Sequence, residues 1–281
     1  MQKTKKTRGS IIYHFFIMIF GFLMMYPVLW LISSSFKNSS EVFANAASLI
    51  PAKLNFSNYV EGWKGFGGNT FTTFFKNSFI IVVISMIGQV VSSALVAFGF
   101  SRIKFRGRTF WFTCMIISMM MPAEILMIPQ YLIFSKLHWI NSYKPLIIPG
   151  FFGLPFFIFL MMQFISGLPM ELDESAKIDG CNTFDIFIKI ILPLLTPALI
   201  TSMIFSFYWK WQDFFGPLLY LNKAKLYPVS LALKLFADPS SQTNYGALFA
   251  MSVLSLVPVF ILFIAFQKYL VEGISTTGMK G

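Results

Sequence analysis

The stretch from Glu171 to Pro193, ELDESAKIDGCNTFDIFIKIILP, lies between two long apolar runs of a 281-residue chain that is only 12% charged. Five of the eleven acidic residues, Glu171, Asp173, Glu174, Asp179 and Asp185, fall in its first fifteen positions. Pro169 suits the first turn of a helix, where its missing N–H is harmless. Glu171, Asp173 and Glu174 follow where acids favour the positive end of the helix dipole. Gly180 then stops the helix. Asn182 or Thr183 caps a second short helix, with Asp185 as an acid of capping-box type. Phe184, Phe187, Ile188 and Ile191 recur at i, i+3, i+4 and i+7, which predicts one apolar face, with Asp185 and Lys189 paired on the opposite side. Pro193 closes the pattern. The expected result is a helix, a glycine turn and an amphipathic helix, a rigid knob that moves the helices joined to it as a unit. The plain alternative is a solvated loop whose acids serve solubility.

The flanking runs decide the solvent. The chain is 56% hydrophobic and 18% aromatic, with a mean hydropathy of +0.70, against about 45–50% apolar and about 25% charged for a soluble domain. A membrane span needs about 20 predominantly apolar residues. Six such runs occur, approximately 11–33, 78–100, 110–129, 146–164, 194–214 and 246–266. None shows the polar face that a helix of a soluble bundle needs. The expectation is an all-α membrane protein with six transmembrane helices in a single domain over 1–281, and a segment 165–193 between the fourth and fifth.

Lys3, Lys5, Lys6 and Arg8 precede the first run, as in a signal peptide. That run is longer than the usual h-region of about 7–15 residues and has no clean cleavage site, so it is expected to be a retained helix. Cys114 and Cys181 imply no disulfide framework. With a cytoplasmic amino terminus, the inner segments hold Lys3, Lys5, Lys6, Arg8, Arg102, Lys104, Arg106, Arg108, Lys177, Lys189, Lys268 and Lys280, which include all four arginines. The positive-inside rule then places both termini and the acidic segment in the cytoplasm. The net charge of +11 reads as a topology signal and a contact with anionic lipid rather than with nucleic acid.

Outside, the loop from Ser34 to Asn77 is long enough to cap the membrane domain and meet an external protein. The segment Gln130 to Lys144 is aromatic and amphipathic and is expected along the interface. The third outer loop, Gly216 to Asn244, holds LNKAKLYP and ADPSSQTN. In the second span Gly88 with Ser92 and Ser93 with Ala97 predict close helix packing. The fourth carries Pro149, Gly150, Gly153 and Pro155 and is expected to unwind where protein or a wet cavity covers it. Ionisable groups in the spans are few. Glu124, beside Pro122 at an expected bend, is expected to be buried in a structural or pore role, and Lys210 and Asp213 either face the interior or snorkel, with Gln89 as a neutral companion.

The acidic segment also resembles a known family. Glu174, Ser175, Ala176, Gly180, Ile190, Ile191, Leu192 and Pro193 follow the EAA-x3-G-x9-I-x-LP spacing of binding-protein-dependent ABC importer permeases, with Ser175 for the first alanine. ELDESAKIDG, with Asp179 before Gly180, looks like the carbohydrate branch. SSSFK (Ser33 to Lys37), NYVEGW (Asn58 to Trp63), SRIKFRGR (Ser101 to Arg108), WQDFFGPL (Trp211 to Leu218) and the ending FQKYLVEGISTTGMKG resemble stretches of maltose-type permeases of the G kind, with Gln212 for an asparagine.

That resemblance implies the type I ABC importer permease fold in a bacterial cell membrane, with the EAA segment as a coupling helix gripped by a separate ATPase. Glu171, Glu174, Ser175, Ala176, Asp179, Gly180 and Pro193 are then the coupling residues. Glu174 is the charged contact, Ala176 allows close approach, and Gly180 forms the turn. ATP binding closes the ATPase pair, drags the coupling helices together and turns the cavity from inward to outward facing. The implied partners are a second homologous permease, two ATP-binding subunits, an extracellular solute-binding protein, a carbohydrate substrate and membrane lipid.

The chain is expected to bind no cofactor and catalyse nothing. GISTTGMK at 273–280 lacks the G-K-[ST] ending of a phosphate loop, and is expected to contact the ATPases or stay unstructured. His14 and His138 are too separated for a metal site or a dyad. Gln89, Glu124, Tyr208, Trp209, Trp211 and Asp213 are the candidate translocation path, the aromatics stacking on sugar or belonging to the interfacial belt. An ion-coupled secondary transporter is the rival reading. It calls for coupling-ion groups near the midplane and paired broken helices, of which Glu124 meets only part. A membrane enzyme lacks a catalytic constellation.

Overall fold

The apolar runs become helices. The computed structural model describes residues 2–237 and 244–278, and the side chains of 13–122, 124–237 and 244–269. Every regular element among them is helical, and a lone bridge pairs Phe66 with Asn69. In chain order the helices are α1 (Gln2–Ser34), α2 (Ser39–Ala44), α3 (Ser57–Trp63), α4 (Phe71–Arg102), α5 (Arg108–Met120), α6 (Ala123–Lys136), α7 (Lys144–Ile147) and α8 (Pro155–Ser166). There follow α9 (Glu171–Ile178), α10 (Thr183–Ile186), α11 (Leu192–Leu194), α12 (Thr196–Trp211), α13 (Phe215–Tyr220), α14 (Val229–Phe236) and α15 (Tyr245–Gly278).

Among the described residues, four stretches are long and apolar enough to cross a membrane: Tyr13–Ser34, Phe71–Arg102, Lys144–Ser166 and Tyr245–Tyr269. Two bent pairs, Arg108–Met120 with Glu124–Lys136 and Thr183–Leu194 with Thr196–Trp211, raise the number to six if each pair is one span. The third run, expected as one span over 110–129 with a bend at Pro122, divides there into two helices. Pro122 disfavours helical backbone in the residue before it, and Met121 is extended (φ −77°, ψ 124°). The fifth bends at Leu195 because Pro197 has no N–H for the carbonyl of Pro193. That carbonyl takes the Thr196 hydroxyl instead, at 2.6 Å.

The chain divides into two compact units. The first comprises residues to Phe71 together with Leu233–Val257. Its centre is a polar joint: Lys37 is fully buried, and its ammonium donates to the carbonyls of Asn45 (3.2 Å) and Ser48 (2.6 Å). The amide of buried Asn58 donates to the carbonyls of Ser35 and Lys37, both at 2.8 Å. Two motifs that looked separate in sequence, SSSFK and NYVEGW, thus form one joint. Gly62 and Gly246 allow the close approach, because an added Cβ would meet Met251 at 2.9 Å and the Lys37 carbonyl at 2.6 Å respectively.

The second unit runs from Thr72 to Ala232 and resumes at Pro258. Its main core draws Val90, Ala94, Ala97 and Phe98 from α4, Phe157, Met161 and Ile165 from α8, Ala176 from α9, and Ile186, Phe187, Ile191, Leu195 and Ala198 from the segment leading into α12. The acidic segment is therefore seated on the bundle rather than draped over it. Further along α4, Val82 packs with Phe207 and Trp211 of α12, and Ile81 joins Leu146, Tyr220 and Leu221.

Candidate functional site

At one end of the second unit, α9 forms as the acids predict, beginning two residues after Pro169, at Glu171. Its end is a Schellman motif: the N–H of Cys181 reaches the carbonyl of Ala176 (2.9 Å), and that of Gly180 reaches the carbonyl of Lys177 (3.1 Å). Gly180 sits at φ +84°, the left-handed conformation such a cap requires. The next helix is capped by Asn182, whose Oδ1 accepts from the N–H groups of Phe184 and Asp185, both at 2.9 Å. Asp185 pairs with Lys189 at 2.6 Å, as its i, i+4 spacing predicts.

The apolar face differs from the expected one. Ile186, Phe187 and Ile191 are buried, while Phe184 is 67% and Ile188 40% exposed. Phe187 and Ile191 keep the expected side, but the segment is not one α-helix: α10 is a single turn, and a π-helical stretch, Phe187–Ile191, lies between it and α11. The 3.6-residue register on which the expectation rested therefore does not run through the segment.

Each coupling candidate has a definite setting. Glu171, Glu174, Ser175, Asp179, Gly180 and Pro193 are exposed. Ala176 is buried, so its small side chain seats α9 on its own bundle. Ile178, which the sequence reading passed over, is 87% exposed at the tip of the helix. Asp173 turns inward, and its carboxylate lies 3.2 Å from Nε of Arg102, with the two side chains 6% and 5% exposed. Arg102 further donates through Nη2 to the carbonyl of Leu168 (3.0 Å) and through Nη1 to Sδ of Met170 (2.6 Å). Neither residue was singled out as a partner of the other, since 71 positions separate them and no local pattern joins them.

The second constellation lies along α4. The fourth run unwinds where its prolines and glycines predict: α7 gives way to a 3-10 turn, Ile148–Phe152, and Gly153 (φ +82°) leads into α8. Backbone groups exposed by such a break need partners inside a membrane. Ser85 donates to the Leu146 carbonyl (3.1 Å), Ser92 to the Gly150 carbonyl (3.3 Å), and Ser93 accepts from the Leu154 N–H (3.0 Å). Gly88 passes beneath Phe151, whose ring lies 2.7 Å from where a Cβ would sit. Of the small residues picked out for close packing, Gly88, Ser92 and Ser93 thus serve this contact, while Ala97 lies in the main core.

The path candidates separate in this arrangement. Gln89 is buried, and its Oε1 accepts from the Ser206 hydroxyl at 2.6 Å. Lys210 reaches the Leu146 carbonyl at 3.5 Å. Tyr208 and Trp209 are partly exposed, with Trp209 stacked on Phe157 at 5.5 Å. Trp211 is buried and stacks on Phe207 at 5.4 Å. Asp213 braces the turn into α13, its Oδ1 accepting from the Gly216 N–H at 3.1 Å. Glu124 is exposed in the first turn of α6, not buried as expected. Placed there, the carboxylate meets the positive end of the helix dipole, a stabilising position that requires no burial. Among the described residues no group of three or more His, Cys, Asp or Glu is placed to hold a metal ion. The tail at 273–280 lies outside the described side chains.

Residues 89–276 match the family described as binding-protein-dependent transport system inner membrane component. The chain belongs to that family. It is 35% identical to the arabinooligosaccharides transport system permease protein AraQ of Halalkalibacterium halodurans, over 93% of each chain. It is 30% identical to the trehalose/maltose transport system permease protein MalG of Thermococcus litoralis, over 94% of each. Its fold matches a chain in the crystal structure of a bacterial ABC transporter involved in the import of the acidic polysaccharide alginate. The TM-score is 0.80 over 92% of this chain and 95% of that one, at 23% identity. This permease is accordingly a multi-pass membrane protein of a transport family rather than a catalytic one.

Proposed function

We propose that the chain is one of a pair of related membrane subunits in an ATP-driven, binding-protein-dependent importer of a sugar or oligosaccharide. It spans the membrane six times with both termini in the cytoplasm, each bent pair counting as one span. The observation that carries this reading is α9, an exposed acidic helix in EAA register, closed by Gly180 and seated by Ala176 on the bundle core. Such an element has the exposure to be gripped and the anchorage to transmit the pull. Two ATP-binding subunits supply the stroke, the chain itself holding no nucleotide or other cofactor. An extracellular solute-binding protein delivers the sugar to the outer segments.

Within the bundle, Tyr208 and Trp209 offer partly exposed aromatic surface for a sugar, whereas Trp211, Gln89 and Asp213 shape the wall through buried or turn-forming contacts. Glu124 belongs to the path only if the partner permease covers it. The test is copurification with the cognate ATPase and reconstitution with the binding protein. Glu174→Ala is expected to abolish assembly or the coupling of hydrolysis to uptake. Uptake driven by an ion gradient with no ATPase present defeats the proposal.

A further inference from the structure

We infer that Arg102 is a positioning residue that locks the coupling helix α9 to the end of α4, so that the two move as one body. The inference rests on the function proposed above and adds the route by which the pull of the ATPase enters the bundle. Three nitrogens of one guanidinium engage three points within residues 168–173: the Leu168 carbonyl, the Met170 thioether and the Asp173 carboxylate. The planar fork of arginine permits this spread, which the single ammonium of lysine does not reproduce. Arg102 therefore grips both the link that precedes α9 and the inner face of α9 itself.

The pair is nearly sealed from solvent, at 5% and 6% exposure. Neither Oδ1 of Asp173 nor Nε of Arg102 finds a hydrogen-bond partner among the described residues, so the 3.2 Å approach of Nε to Oδ2 is an ion pair rather than a hydrogen bond, and it is the hold on that carboxylate. A buried ion pair is a poor route to stability, since apolar replacements are often as stable or more so. What it supplies is a fixed geometry. Of the three acids on α9, Glu171 and Glu174 are exposed and Asp173 alone is turned to the bundle.

The far side of the lock explains its use. Arg102 is the last residue of a 32-residue helix without internal proline. Earlier turns of that helix carry Ser85, Ser92 and Ser93, which hold the unwound segment 146–154, and Gln89, which holds Ser206 of α12. A displacement of α9 reaches these contacts through a rigid rod. All of these residues belong to the second unit.

The experiment uses the full importer in proteoliposomes with its ATPase and binding protein, and reads substrate transported per ATP hydrolysed. Arg102→Ala is expected to keep ATPase association and hydrolysis while transport per ATP falls about tenfold, within the usual range of coupling between sites. Arg102→Lys is expected to recover part of it. Wild-type transport per ATP in Arg102→Ala overturns the inference. Should that variant not accumulate because Asp173 is left buried and alone, the paired Arg102→Met, Asp173→Leu variant takes its place, with the same two outcomes. Spin labels at Lys104→Cys and Lys177→Cys, in a chain whose free Cys114 and Cys181 are replaced by Ser, give an independent reading. Their separation is expected to be the same without nucleotide and with ATP bound, and a measurable change overturns the lock. If the wild-type chain binds no ATPase, the functional reading has failed instead.

Discussion

The hydroxyl of Ser206 donates to Oε1 of Gln89 at 2.6 Å, a buried bond that ties α12 to α4. One turn on, the hydroxyl of Ser93 accepts from the backbone N–H of Leu154. The two bonds look alike, yet their loss leaves different things behind. Without Ser206, Gln89 retains side-chain freedom to seek another partner, and interhelical side-chain bonds in membranes average about 0.6 kcal/mol. Without Ser93, a fixed backbone donor in an unwound segment is orphaned, which costs about 1–3 kcal/mol. Ser93→Ala should therefore lower the apparent Tm of the purified complex clearly more than Ser206→Ala. Equal shifts would show that the unwound segment finds its partners elsewhere.

Gly88 tests the same region sterically. A methyl there meets the Phe151 ring at 2.7 Å, but Phe151 is half exposed and its ring has room to swing away. Gly88→Ala is expected to cost about 1 kcal/mol, the low end of overpacking penalties. Adding Phe151→Ala should return most of that loss. The readout is the apparent Tm of the single and double variants; failure of the second change to compensate would place the clash elsewhere.

Gly180 poses a conformational question, because an added Cβ meets nothing within 4 Å. The penalty for Gly180→Ala is then the left-handed backbone alone, about 1–2 kcal/mol. Asparagine tolerates that conformation better, so Gly180→Asn should retain more stability and more ATPase binding than Gly180→Ala. If the position were instead kept small for a partner's close approach, the bulkier Asn would be the worse variant. Quantitative copurification of the ATPase with each variant separates the two.

How far the sequence reached depended on the range of the interaction. The helices, the Gly180 stop, the Asn182 cap and the unwinding around Pro149 and Gly153 were legible because each is written in neighbouring residues. The bend at Pro122 was legible for the same reason, since proline restricts its neighbour, but the hydropathy of 110–129 did not show that the run divides there into two helices, α5 and α6. The burial along α10 does not follow the 3.6-residue period because the helix is a single turn that gives way to a π-helical stretch at Phe187, which has no composition of its own. Asp173 was legible only as one of three first-turn acids, because its partner Arg102 comes from another helix. Joints of this kind, like that of Lys37 with Asn58, need the packed structure to become visible.

That second joint makes its own prediction. The Asn58 amide satisfies two carbonyls, and the Gly246 backbone lies so close that a Cβ would meet the Asn58 amide at 2.5 Å. Asn58→Leu leaves both carbonyls without their donor, each worth about 1–3 kcal/mol if buried. Asn58→Leu and Gly246→Ala are each expected to reduce accumulation of the folded chain. Because both act on one joint, the double variant should lose less than the sum of the singles. Strict additivity in apparent Tm would mean the two positions act separately.

Ile178 offers the sharpest separation of assembly from stability. It projects at 87% exposure from the end of an acidic helix, next to residues that carry charge or have no side chain. Within this chain such an apolar side chain gains nothing, and exposed positions free of special contacts change stability by no more than about 0.5 kcal/mol on substitution. In a complex, an apolar anchor seated in a pocket is where binding energy concentrates, about 2 kcal/mol or more for a hot spot. Ile178→Ser should therefore leave the apparent Tm of the permease pair unchanged while weakening its association with the ATPase about thirtyfold, since 1.4 kcal/mol is tenfold. Titrating ATPase onto the permease pair in nanodiscs measures this directly. Unaltered affinity would mean that the tip of α9 stays outside the contact, and that the acidic flank with Glu174 carries the grip.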